Sequence, residues 1–219
     1  MTPGDLLTLF RSEVSDIASP YLWSDDEFFG YADDAQKQYA RLTWGLIDST
    51  TPAITEIPMV AGTSTYDLSP LVLAVRAARV ATTGRGLDIV NQEDMPVRRM
   101  YFDGTAGVPR ALILGLDTDK LSVWPVPIAD VTVKLSVFRL PLVDITSLND
   151  TVPFEIAPQH HRHLLLWVKH LAYSKQDVET YDARKAAEFE TAFEAYCVRA
   201  KKEQDRSRHK PRSVTYGGI

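Results

Sequence analysis

The spacing of apolar positions changes twice along this chain. From Thr2 the sequence offers a cap residue, Pro3 at the first helical position and Asp5 at the third. Leu6, Phe10, Val14 and Ile17 then follow along one face, which predicts a helix ending before Pro20. A second helix is predicted from Ser24, with Phe28, Tyr31, Ala35, Tyr39, Leu42 and Leu46 on one stripe until DSTTP stops it. On this pattern the first fifty residues are helical.

Beyond Pro52 the period becomes two. AITEIPMV, STYDL, LAVRAARVAT, GLDIV, RALILGL, LSVWPV and VTVKLSVFRL read as strands, separated by turn-forming stretches such as AGT, TGRG, DTDK and PVPIAD. In VTVKLSVF, Val131, Val133, Leu135 and Val137 alternate with Thr132, Lys134 and Ser136, as in an antiparallel sheet with one wet face. After Pro153 the helical period returns. Pro158 opens a helix with Leu164, Leu165, Val168, Leu171 and Ala172 on its apolar face. Thr180 or Asp182 caps a last one carrying Ala186, Phe189, Phe193, Tyr196, Cys197 and Ala200.

Neither helical pair can bury its stripe alone, so the simplest assembly packs the two pairs together with the strands inserted between them. The expected class is α+β: a bundle of about four helices, an inserted antiparallel β domain forming a small sandwich or curled barrel, and an extended C-terminal arm. The expected boundaries are 1–52 and 142–206 for the helical halves, 53–141 for the β domain and 207–219 for the tail.

The stretch SPYLWSDDEFFGYADDAQ places large apolar groups on both sides of an acidic cluster. Ser24 and Glu27 have the spacing of a capping box, and Trp23 and Phe28 that of a hydrophobic staple. Asp25, Asp26 and Glu27 fall in the first turn, where the helix dipole favours negative charge, and Asp33 and Asp34 fall on the polar face. This group of residues clamps a helix start and by itself indicates no chemistry.

Composition narrows the picture. A chain of 219 residues, 45% hydrophobic, can bury a sizeable core. No run approaches the roughly 18 apolar residues of a membrane span, and MTPGDLLTLFRSE lacks the basic start of a signal peptide, so a soluble chain that stays in the cytoplasm is expected. The single cysteine, Cys197, excludes an internal disulfide. The net charge of −5 is unevenly placed: Arg199 to Arg212 holds seven cations (Arg199, Lys201, Lys202, Arg206, Arg208, Lys210 and Arg212) against two acids. This basic arm ends in KPRSVTYGGI, which has no periodicity and reads as an unstructured or conditionally ordered tail.

Candidate chemistry is sparse. In APQHHRHLLLWVKH, His160 and His163 could share a metal and His163 and His170 lie on one stripe, but no acid stands within a turn and HEXXH spacing is absent. A packing, capping or subunit-contact role is the expectation for these histidines and for His161. Gly84 and Gly86 open no helix, no GxSxG occurs, and Cys197 sits on an apolar helical face. No cofactor, metal or catalytic residue is expected.

Four stretches resemble the head-to-tail adaptor, or connector, proteins of tailed bacteriophages. These are LWSDDEFFGYADDAQ, ITEIPMVAGTSTYDLSPLVLAVRAARV, GVPRALIL with LSVWPVPIADVTVKLSVFRLPL, and IAPQHHRHLLLWVKHLAYSKQDVETYDARKAAEFETAFEAY. The likeness spans roughly Leu6 to Lys202 and is carried by order and spacing rather than by one motif. His161 stands at the family's usual histidine, followed here by Arg162 and His163 where the family has an acid.

The resemblance implies a helical bundle with an inserted β domain and a ring, typically of twelve copies, beneath the portal. It further implies a virion protein at the head-tail interface, assembled in the host cytoplasm, whose partners are the portal, a tail or nozzle protein and its own copies, with DNA passing through the channel and no membrane. The basic arm, including Tyr216, is then a portal-docking candidate. Two rivals remain from the residues themselves: a nucleic-acid-binding protein using the arm, and a metal-dependent hydrolase built on the histidine helix.

Overall fold

The structure, a computed structural model, describes residues 1–94 and 105–208. It is of the α+β class, with five helices among the described residues and a curled half-barrel sheet, in two units: Met1–Gly45 with Val143–Ile219, and Leu46–Leu142.

The helical unit begins with α1 (Pro3–Val14), where Thr2 and Asp5 form a reciprocal capping box and proline occupies the first turn. The helix stops at Ser15, which takes a left-handed conformation, so the last turn expected from the apolar spacing does not form and Ile17 is exposed. Helix α2 (Asp25–Thr43) starts at the expected cap and ends earlier than its stripe suggests. Trp44 turns left-handed and donates its N–H to the Ala40 carbonyl, which closes the helix before Leu46 can extend it.

On the C-terminal side, Pro158–His163 form a 3-10 turn that leads into α4 (Leu164–Ser174). Helix α5 (Ala183–Arg208) is capped by Asp182, whose carboxylate accepts from Lys185 N, and not by Thr180. Helices α2 and α5 run parallel, with α4 antiparallel to both. The start of α2 meets the end of α4 through Glu27 and Lys175, and the end of α5 meets the end of α2 through Arg208 and Trp44. Leu6, Phe10, Phe28, Tyr39, Leu164, Val168 and Phe193 fill the interior of this unit.

The β unit starts with a strand that the sequence pattern hides, β1 (Ile47–Asp48), and a single helical turn, α3 (Pro52–Thr55), where a strand is expected. Thr51 and Pro52 explain the turn: the Thr51 carbonyl accepts from Ile54 and Thr55 N, and proline fits the first helical position. The strands β2 (Glu56–Met59), β3 (Thr65–Asp67), β4 (Val72–Val80), β5 (Gly86–Asn91), β6 (Ala106–Gly107), β7 (Ala111–Leu114), β8 (Lys120–Trp124), β9 (Val126–Pro127) and β10 (Val131–Arg139) follow.

The main sheet runs β1-β10-β4-β5-β7-β8-β3, with β2 also on β10, and β6 pairs with β9. Most pairs are antiparallel, but β5 and β7 are parallel, as are β6 and β9, which corrects the all-antiparallel expectation. The chain leaves β5 through a 3-10 turn at Gln92–Asp94 and returns to β7 as a crossover rather than a hairpin. Two register shifts between β4 and β10 bend these long strands and curl the sheet. The core of the unit is Met59, Leu112, Leu121, Val133, Leu135 and Val137 with their neighbours, so the alternation in β10 sends its aliphatic residues inward as its pattern predicts.

Candidate interaction surfaces

In the helical unit, the start of α2 is held by more than its cap. Ser24 accepts from Glu27 N, and the Glu27 carboxylate accepts from Ser24 N at 2.9 Å. Glu27 also pairs with Lys175 at 2.7 Å, and this contact, more than the cap, holds its carboxyl below the usual range. Trp23 and Phe28 both pack on Phe10 of α1, at centroid distances of 5.5 and 5.3 Å, so Phe10 joins the two rings of the expected staple.

Arg11 is the hub of the joint. Its guanidinium donates to Asp16, Asp25 and the Trp23 carbonyl, and Tyr21 covers it with the ring centroid 3.5 Å away. Nothing in the spacing of the apolar residues marks Arg11, which lies just off the helix stripe. Asp33 and Asp34 are not idle on a polar face either. Asp33 binds Lys37 and the Ile145 N–H, and Asp34 accepts from the Trp167 indole at 2.6 Å.

The histidines are packing and hydrogen-bonding groups. His160 Nδ1 lies 2.7 Å from the Tyr196 hydroxyl, and His163 stacks flat on the Tyr196 ring at 3.7 Å. Burial pushes both imidazoles below the ordinary value, and for His163 the Arg199 charge adds to it. The nitrogens of His161 face the Met1 and Ile156 carbonyls, and His170 Nδ1 lies 3.0 Å from the Ala186 carbonyl. Among the described residues no group of three histidine, cysteine or acidic side chains could hold a metal ion. Cys197 is buried, and burial pushes its thiol up to about 12.

The basic segment divides in two. Arg199 to Arg208 are the closing turns of α5, so the part of the arm before residue 209 is helix. Lys201 lies over the Trp44 ring, and Arg208 donates to the Trp44 carbonyl and to Gln204, which ties both to the end of α2. Arg199, Lys202 and Arg206 follow one another at spacings that keep them on one outward stripe, and all three are exposed. Lys210, Arg212 and Tyr216 lie outside the described residues.

Beside the stripe, Leu42 of α2 and Cys197, Val198, Lys201 and Lys202 of α5 line a groove of about 360 Å³. In the β unit, Asp48 is buried and accepts from Arg139 Nε at 2.8 Å and from the N–H groups of Thr50 and Thr51. Burial opposes its charge, but these donors and the Thr51 hydroxyl outweigh it and hold the carboxyl well below the usual range. No helix among the described residues is long and apolar enough to cross a membrane.

The sequence model of the SU10 adaptor protein family matches residues 1–215. No curated protein matches the chain.

Proposed function

We propose that this chain, which belongs to the SU10 adaptor protein family, a phage head-tail adaptor family, forms a ring, typically of twelve copies, under the portal. The coarse role, a structural adaptor of the phage particle, follows from family membership over residues 1–215. In the proposed role the ring seats on the portal on one side, receives a tail or nozzle protein on the other, and surrounds the DNA path without reading its sequence. It is assembled in the host cytoplasm and resides at the head-tail interface of the virion.

The helical bundle supplies the ring wall, and the basic arm supplies the portal contact. The exposed stripe of Arg199, Lys202 and Arg206 supports that assignment, because it presents three cations outward near the end of α5, where Lys201 lies over the Trp44 ring and Arg208 donates to the Trp44 carbonyl. Lys210, Arg212 and Tyr216 continue the same docking segment.

The observation that carries the reading is the whole-chain family match. Its test is native mass spectrometry of the purified chain mixed with portal rings from the same genome. A gain of about one chain per portal subunit supports it; no gain at any salt concentration sinks it.

For the arm, the informative variant is truncation after Arg208 combined with Arg199→Glu and Arg206→Glu. Truncation after Ala200 would also remove the bond from Gln204 to the Tyr39 hydroxyl and so disturb the unit itself. Unchanged portal affinity would reject the arm. A DNA gel shift that weakens steeply with salt, and is lost in the same variant, would instead move the stripe to the nucleic-acid reading.

A further inference from the structure

The helical unit carries an unfilled groove near one end and an exposed apolar knob near the other. The knob is Val178 in the connection between α4 and α5. Its side chain is fully exposed, at 103% of the reference area, and it stands between Asp177 and Glu179. Tyr181, also exposed, follows in the same connection. Tyr21 and Leu22, exposed on the connection from α1 to α2, belong to the same end, because Trp23 bonds the Ala172 carbonyl and packs edge-on to Tyr173. Several large apolar side chains on two adjoining loops are the kind of surface that partner proteins cover.

The groove has a matching character. Leu42, Cys197 and Val198 provide its apolar lining, with Val198 itself 54% exposed, and Lys201 and Lys202 stand at its rim. Glu194 and Asp205 also line it, and the knob end has Arg184 and Lys185 just beyond Asp182, so each surface carries both signs.

One molecule cannot place its own Val178 in its own groove. The fifteen helical steps from Ala183 to Val198 separate the two by about 22 Å along α5. The occupant is therefore another molecule, and the pairing of an acid-flanked valine with a lysine-rimmed apolar groove selects a second copy of this chain.

We propose that copies join head to tail through the helical unit: Val178 of one copy enters the groove formed by Leu42, Cys197 and Val198 of the next, and Asp177 and Glu179 meet Lys201 and Lys202. A contact between two different surfaces repeats, and it generates a ring when the rotation closes. This names the lateral contact of the ring proposed above and rests on that reading. Lys202 then serves the lateral contact, which leaves Arg199 and Arg206 of the stripe for the portal.

Disulfide trapping tests the contact in the full-length chain, in a Cys197→Ser background, with and without portal rings. One chain carries Val178→Cys and the other, isotopically heavy, carries Val198→Cys. Under mild oxidation the expected product is mainly the mixed dimer, and a chain carrying both substitutions gives a ladder well beyond dimer.

A statistical mixture of homodimers and mixed dimers, or no trapping in either condition, overturns the contact. Charge reversal provides a second reading in chains whose folding is checked by circular dichroism. Lys201→Glu with Lys202→Glu reduces trapping about fivefold, and adding Asp177→Lys with Glu179→Lys restores it. If trapping survives reversal unchanged, the assignment fails. Portal assembly of the unmodified chain is scored separately, so loss of this contact and loss of the adaptor reading are distinguishable.

Discussion

The indole N–H of Trp23 donates to the carbonyl of Ala172 at 3.0 Å, across 149 residues of sequence. It fastens the joint of α1 and α2 to the last turn of α4, whose carbonyls have no partner within the helix. Trp23 is 2% exposed, so the bond is made out of water's reach. Trp23→Phe keeps most of the packing and orphans that carbonyl, for an expected loss of about 1–2 kcal/mol. Trp23→Ala is expected to cost about 3–5 kcal/mol. Urea unfolding followed by circular dichroism checks both; a Trp23→Phe variant as stable as the natural chain would show that the hydrogen bond contributes nothing.

Asp48 and Arg139 form a buried pair inside the β unit. Asp48→Asn replaces the carboxylate that accepts from Arg139 Nε and from the Thr50 and Thr51 N–H groups by a neutral amide, and is expected to destabilise by about 3 kcal/mol. The folded-state carboxyl is held below its unfolded value of 3.8, so its stabilisation is fully present above that value and is lost as pH falls through the depressed folded range. The gap between the natural chain and the variant is expected to be constant from about pH 7 to pH 5 and to narrow below about pH 4. Chemical denaturation across that series measures it.

His160 and His163 carry the opposite chemistry with the same sign of pH dependence. Burial lowers both below 6.5, so the fold disfavours their protonation. Their contribution is present above the unfolded value and is lost as pH falls below it. His163→Phe keeps a ring on Tyr196 and removes one titrating group. The drop in melting temperature between about pH 7.5 and pH 5.5 should be smaller in this variant than in the natural chain. An identical drop would remove His163 from the account.

Cys197, buried and with its thiol pushed up to about 12, is expected to stay unmodified by a thiol reagent near pH 8 in the native protein and to react fully in denaturant. Rapid reaction of the native chain would show that the α5 groove opens to solvent at this position.

The cap at Ser24 was legible because its partners lie three residues apart and the geometry of one turn dictates the bonds. The end of α2 was not, since Leu46 continues the apolar spacing and only the pairing of Ile47 and Asp48 with β10 draws the chain out of the helix. The parallel pairing of β5 with β7 was equally hidden. Strand patterns report which face is buried and say nothing about which strand lies alongside. At the candidate surfaces, the sequence located the cations of α5, whereas the bond of Asp34 to Trp167 was hidden because the two lie 133 residues apart, and Arg11 carries no mark in the apolar spacing.

By itself, then, the sequence determined the starts of α1 and α2, the inward residues of the long strands, the placing of a strand-rich middle between helical ends and the resemblance to phage adaptors, all of which depend on local geometry or on linear order. The tertiary structure decided the rest. It set where helices stop, which strands pair, which cations of α5 contact Trp44, and that an exposed valine and an apolar groove lie at opposite ends of one unit. Those outcomes depend on contacts between residues far apart in the chain, whose free energy no short stretch of sequence contains.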